Sequence, residues 1–213
     1  MDLIKIEDIQ NLKEGDAYFI NVDEERRPQI LEALKNLNAE EATDGDVVAE
    51  QVTIPSCGPE ICNPLVPFCI TASRPNLPGG LTAGGFFFAF DSSCVQCVIE
   101  PCLLPNAIVE NPCLGEPPIT GCEVAVNRVR AVGCIRGFLS PIFIPSCGGG
   151  FGVANNEETF CVNNVICFTC NENPCPDFCN TIGVVFTAII ESGSPCGNSQ
   201  LSVVGNFVLP SCV

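Results

Sequence analysis

Cysteine is the residue type in this chain with the most chemistry to offer, and it is unevenly placed. All 17 cysteines lie between Cys57 and Cys212, and the first 56 residues hold none. A thiolate is a nucleophile, a redox partner and a soft-metal ligand, so the functional question is what these sulfurs bond to. Two C-x-x-C pairs stand out, Cys94 with Cys97 and Cys167 with Cys170. In a dithiol oxidoreductase this spacing sets a low-pKa thiol at a helix N-terminus, with its resolving partner one turn on, inside a βαβ unit. Here strand-like residues surround both pairs and no helical pattern follows them, so a redox enzyme is not expected. The run Cys167, Cys170, Cys175 and Cys179 reads C-x2-C-x4-C-x3-C, a spacing that suits tetrahedral thiolate zinc, with Asn171-Glu172-Asn173-Pro174 as its turn. One zinc would leave thirteen of the 17 cysteines unexplained. A zinc-binding cysteine-rich protein is therefore the alternative reading, and no metal or other cofactor is expected.

Three cysteines close one short phrase: Ile54-Pro55-Ser56-Cys57, Ile144-Pro145-Ser146-Cys147 and Leu209-Pro210-Ser211-Cys212. Each follows an apolar run, and proline suits a strand terminus because it lacks the N–H that a ladder needs. The phrase is thus expected to present a thiol just outside a sheet, within reach of a neighbouring loop or molecule. Cys57, Cys147 and Cys212 become the candidate intersubunit cross-links, with Cys212, one residue from the C-terminus, foremost. Seventeen is also odd, so at least one cysteine must stay free, bind metal or pair with another chain.

Other chemistries are poorly served. Histidine is absent, which removes Ser-His-Asp and Cys-His machinery. The runs Gly79-Gly80, Gly84-Gly85 and Gly148-Gly149-Gly150 lack the Lys-Ser/Thr and following helix of a phosphate loop. Scattered carboxylates such as Glu157-Glu158 show no sign of a shared pocket, so an enzyme is not expected. A formal charge of -16, with no lysine after Lys35, argues against nucleic acid and anionic membranes. No apolar run reaches the length of a membrane span.

The elements that position the cysteines divide at about residue 50. Residues 1–50 carry 14 acidic and 5 basic side chains. They read as an acidic α/β segment: a short strand at Tyr18 to Val22, one amphipathic helix over residues 25–38, and a linker from Glu40 to Glu50. Pro28 suits the first turn of that helix, and Ile30, Leu31, Leu34 and Leu37 recur on one face. Its face is expected to dock on the body or on a neighbouring subunit. Residues 51–213 read as a cysteine-rich β domain with short apolar runs broken by Pro, Gly and Asn. The predicted strands are Leu81 to Phe90, Cys94 to Ile99, Ala107 to Glu110, Glu123 to Ile135, Phe138 to Ile144, Thr159 to Thr169, Ile182 to Ile190 and Gln200 to Leu209. The fold class is mainly β, an antiparallel sandwich or jelly roll. Within Glu123 to Ile135, Arg128 and Arg130 take the parity of Val124 and Val126, which asks for a bulge or a subunit contact.

The compartment signals conflict. Cysteine this dense suggests an oxidising environment, yet Met1-Asp2-Leu3-Ile4-Lys5-Ile6-Glu7-Asp8 does not read as a Sec signal peptide. A metal-loaded cytosolic protein, a thermophile, or a protein made in a cytoplasm later opened by lysis would each reconcile them. The cysteine-rich body, the missing export signal and the stretch Gly121-Cys122-Glu123-Val124-Ala125-Val126-Asn127-Arg128-Val129-Arg130-Ala131-Val132-Gly133-Cys134-Ile135-Arg136 resemble clostridial cysteine-rich exosporium proteins. Those proteins self-assemble into crystalline, disulfide-stabilised sheets around the spore, and the resemblance covers residues 50–213. It implies a structural protein of the exosporium or outer coat, made in the mother-cell cytoplasm. Its partners would be further copies of itself and other cysteine-rich proteins of the layer, with no nucleic acid and no membrane insertion. Spore-appendage fibre subunits are similar too, but their N-terminal arm carries cysteine and the arm here does not.

Overall fold

The computed structural model describes residues 3–10, 12, 16–37, 54–58, 61–74, 81–109, 119–145, 152–193 and 199–212. The expected linker at 40–50, Cys147 and the glycines at 79–80 and 148–150 lie outside these residues. The chain folds as an antiparallel β-sandwich, as its alternating short runs predict. Among the described residues no helix is long and apolar enough to cross a membrane.

One sheet has the order β1-β8-β9-β2. It contains β1 (Tyr18–Ile20), β2 (Leu65–Arg74), β8 (Gly183–Gly193) and β9 (Ser199–Val208). The second sheet is built around β5 (Ile119–Pro145), a strand of 27 residues. Along one side of β5 run β3 (Leu81–Asp91) and then β4 (Gln96–Val109), both antiparallel to it. Along its other side run β6 (Gly152–Val153) and β7 (Asn156–Thr169). This sheet is therefore three lines of backbone, two of them broken.

The break between β3 and β4 positions chemistry. Asp91 pairs with Arg136 and Gln96 with Val132, so residues 92–95 stand opposite residues 133–135. The β3–β4 line carries one residue more than β5 there, and the excess lifts as a bulge. Gly133 makes room for it. Its φ is 143°, and a Cβ at this position would collide with the Cys94 carbonyl.

Phenylalanines fill the space between the sheets. Phe86, Phe88 and Phe90 of β3 and Phe160 of β7 meet Phe68 of β2, Phe186 of β8 and Phe207 of β9. Phe68 and Phe207 lie closest, with ring centroids 4.7 Å apart. A fully buried side chain of this kind, such as Phe86, Phe186 or Phe207, stabilises the fold by roughly 1.5–3 kcal/mol, and the partly buried Phe90 and Phe160 contribute less. The open seam between β7 and β2 is stitched by asparagine amides. Asn164 donates to the carbonyls of Asn63 and Leu65 at 3.1 and 2.9 Å, and Asn156 to that of Thr71 at 2.8 Å. Carbonyls at a sheet edge that would otherwise invite another strand are thereby occupied.

The acidic N-terminal segment joins this core. Ile4 exchanges backbone hydrogen bonds with Phe86, and Ile4, Ile6 and Ile9 are buried around α1 (Ile6–Gln10). A 3-10 turn at Glu24–Arg26 leads into α2 (Arg27–Leu37), within the predicted span and with Pro28 in its first turn. Ile30 of α2 is buried with Val22, Leu65, Val185 and Val208, so the helix covers the outer face of the first sheet.

Prolines and a glycine account for the differences from the predicted strands. β2 is absent from the prediction because Pro67 interrupts it, but β2 is an edge strand with one ladder partner, where proline is tolerated. β4 runs through Pro101 and Pro105 and so joins two predicted runs. β5 joins two more across Gly137, which marks no turn. A Cβ at Gly137 would press into the Ile70 side chain from the opposite sheet. The arginine parity needs no bulge within β5: Val129, Ala131 and Ile135 face the core, and Arg128 and Arg130 lie on the other face.

Candidate functional site

The described cysteines fall into two groups. Six close three disulfides within the chain, Cys57–Cys102, Cys97–Cys175 and Cys167–Cys212, spanning 45, 78 and 45 residues. Eight are thiols, of which Cys62, Cys69, Cys94, Cys161, Cys170 and Cys179 are exposed and Cys122 and Cys134 half-buried.

The candidate cross-linking residues are placed as follows. Cys57 is fully buried against β4. Its N–H donates to the Leu103 carbonyl at 2.9 Å, Leu103 donates back to the Pro55 carbonyl at 2.9 Å, and Cys57 bonds Cys102. Arg128 covers this bond. Its Nε and Nη2 donate to Glu100 Oε2 at 2.9 and 2.6 Å, and its Nη1 donates to the Cys57 carbonyl at 3.1 Å. Cys212 bonds Cys167 at the rim of the core. Both residues thus take a partner within the chain in this structure, and Cys147 lies outside the described residues. Pro145 keeps its place in the ladder opposite Leu81, Ser56 makes a single parallel bridge to Leu103, and Cys212, just past β9, reaches a strand of the other sheet.

Neither C-x-x-C pair closes on itself, because Cys97 bonds Cys175 and Cys167 bonds Cys212. The same two bonds divide the possible zinc cluster Cys167, Cys170, Cys175 and Cys179, leaving Cys170 and Cys179 as thiols. Among the described residues no group of three or more Cys, Asp or Glu is arranged to hold a metal ion.

A thiol cluster that spacing does not reveal lies on the outer face of the β5 sheet. Cys134 of β5 stands directly opposite Cys161 of β7, with their sulfurs 3.5 Å apart. Cys94, on the bulge between β3 and β4, is carried beside them where its carbonyl lies over Gly133. The hydrogen bond with Cys161, together with partial burial and the nearby Cys161 and Cys94 sulfurs, raises the Cys134 thiol above its ordinary range. Asp91 ends β3 just before the bulge. The Ser93 N–H donates to it at 2.9 Å and Arg136 Nη2 at 2.5 Å, and these donors hold its carboxyl at about 2. Arg130 donates to Asn163 Oδ1 at 3.1 and 2.9 Å on the same face. Strand parity is the signal for this cluster, but it becomes legible only once the β5–β7 register is known.

Residues 62–207 match the family described as the YwhK N-terminal domain. The chain belongs to that family. The match spans every strand from β2 to β8 and the Cys94, Cys134 and Cys161 cluster with them. No curated protein matches the chain. No solved structure matches it either.

Proposed function

We propose that this YwhK-domain protein is a structural, self-assembling component of a bacterial spore's outer layer, the exosporium or coat, locked by disulfides between copies. The observation that carries this reading is the surplus of accessible thiol. The sandwich has a full aromatic core and three disulfides within the chain, yet six further described cysteines lie exposed. A core of this size needs no more cross-links to fold, since each disulfide adds only roughly 2–4 kcal/mol. Exposed thiols are useful where oxidation joins one molecule to the next. The family match is compatible with a cysteine-rich structural protein, and the narrower clostridial likeness has no counterpart among the matches.

In this reading the chain is made in the mother-cell cytoplasm, packs through apolar and strand-edge contacts while its thiols are reduced, and is locked when the mother cell opens to air. Exposed apolar side chains such as Val98, Ile99 and Ile108 on β4 supply contact surface. Its partners are further copies and other cysteine-rich proteins of the layer, and its role is not catalytic. Purified full-length chain, oxidised and examined by non-reducing electrophoresis and negative-stain microscopy, is expected to give ordered assemblies that survive boiling detergent and fall apart with reductant. A chain that runs as a monomer without reductant, with only dispersed particles in the microscope, would sink the reading.

A further inference from the structure

We infer that Cys94, Cys134 and Cys161 form one redox site that joins two copies face to face, Cys134 closing on Cys161 within each copy and Cys94 pairing with Cys94 of the second copy. This rests on the assembly reading above and names the bond that begins it.

The geometry sets the assignment. Cys134 and Cys161 are registered partners with sulfurs 3.5 Å apart, so a modest side-chain rotation closes a cross-strand bond. Cys94 is exposed on a bulge held in place by Gly133 on one side and the Asp91–Arg136 pair on the other. Three thiols in one patch leave one over after the internal bond forms. A patch this small faces a single neighbour, and when two identical faces meet across a two-fold axis, a residue near the axis meets itself. Arg136 is neutralised by Asp91, which reduces like-charge repulsion between the faces.

The chemistry balances with an oxidised low-molecular-weight thiol, RSSR, as oxidant. The exposed Cys161 thiolate attacks RSSR, forming Cys161–S–S–R and releasing RS⁻. Cys134, losing its proton to solvent, then attacks the Cys161 sulfur and expels the second RS⁻. Two Cys94 thiols, one from each copy, are joined by the same pair of displacements. For each pair of copies, three RSSR accept six electrons and six protons to become six RSH as three disulfides form.

The test uses full-length chain, with heavy-nitrogen copies mixed with ordinary ones, reduced, desalted and oxidised with glutathione disulfide. Linked peptides are mapped by mass spectrometry beside a non-reducing gel. Expected are a Cys134–Cys161 peptide of uniform isotope content, a Cys94–Cys94 peptide of mixed content, and loss of the latter with its dimer band in Cys94→Ser. In Cys161→Ser the patch holds an even number of thiols, so Cys94 is expected to close on Cys134 within the copy and the Cys94-linked dimer to disappear. Links between copies that bypass Cys94 in the wild type would overturn the inference and leave the assembly reading standing. A wild-type chain that closes Cys134–Cys161 but stays monomeric would overturn both.

Discussion

The two sheets of the sandwich share one aromatic core but treat their outer faces differently. The β1-β8-β9-β2 sheet is covered there by α2, which buries Ile30 against Val185 and Val208, and its only described strand cysteine is Cys69. The β5 sheet carries ion pairs and thiols on its outer face: Arg128 with Glu100, Arg136 with Asp91, and Cys134 with Cys161. All three disulfides among the described residues also have one sulfur on its strands, at Cys97 and Cys102 of β4 and Cys167 of β7. One sheet is held by apolar burial on both faces. The other is held by burial on one face and by cross-links around it, which leaves a reactive surface free. The difference separates a face that maintains the fold from a face available to other molecules.

Removing the cover from the first sheet should have the largest effect. Ile30→Ala deletes a side chain only 2% exposed, and a loss of about 2–5 kcal/mol is expected, measured by urea unfolding under oxidising conditions. Glu157→Ala on the other outer face should shift stability by no more than about 0.5 kcal/mol, because it removes an exposed side chain. Equal losses at the two positions would break the distinction between the faces.

The cross-links come next. Replacing Cys97 and Cys175 together by alanine opens a 78-residue loop and is expected to cost roughly 2–4 kcal/mol. Fast amide exchange should then appear first in β4 and the segment before α3 (Phe178–Thr181), while β8 and β9 keep their protection. Exchange rising together in both sheets would mean that the bond supports the whole sandwich rather than one side of it.

Much of the fold is legible from the chain. Alternating runs placed β3, β7, β8 and β9 to within a few residues, and Pro28 with the Ile30 and Leu34 spacing placed α2. What escaped depends on partners that lie far away in sequence. Pro67 and Pro101 look like breakers until their strands are known to be edges, and Gly137 looks like a turn until Ile70 is seen packing over it. The thiol cluster escaped for the same reason. Cys134 and Cys161 meet through a register 27 residues apart, and Cys94 joins them only because one extra residue bulges opposite Gly133. The three Pro-Ser-Cys phrases were conspicuous through repetition, yet Cys57 and Cys212 find partners inside their own chain.

The smallest expected effect is an acid response confined to the β5 sheet. Asp91 is held at about 2 by the Ser93 backbone N–H, the Ser93 hydroxyl and the Arg136 guanidinium, against an ordinary value of 3.8. A depressed carboxyl contributes stability that is present above its unfolded value and is lost as pH falls through the folded value. The clamp on the bulge should therefore be intact at neutral pH and weaken between 3.8 and about 2. Arg136 stays charged across that window, since the same pair raises its pKa further, so only the aspartate titrates. Proton exchange at the amides of Ser93 to Val95, corrected for the intrinsic pH dependence of exchange, should quicken there. Asp91→Asn should remove the step while leaving the strands protected. If β8 and β9 amides quicken over the same window, the event is general acid unfolding, and the bulge that carries Cys94 has no separate latch.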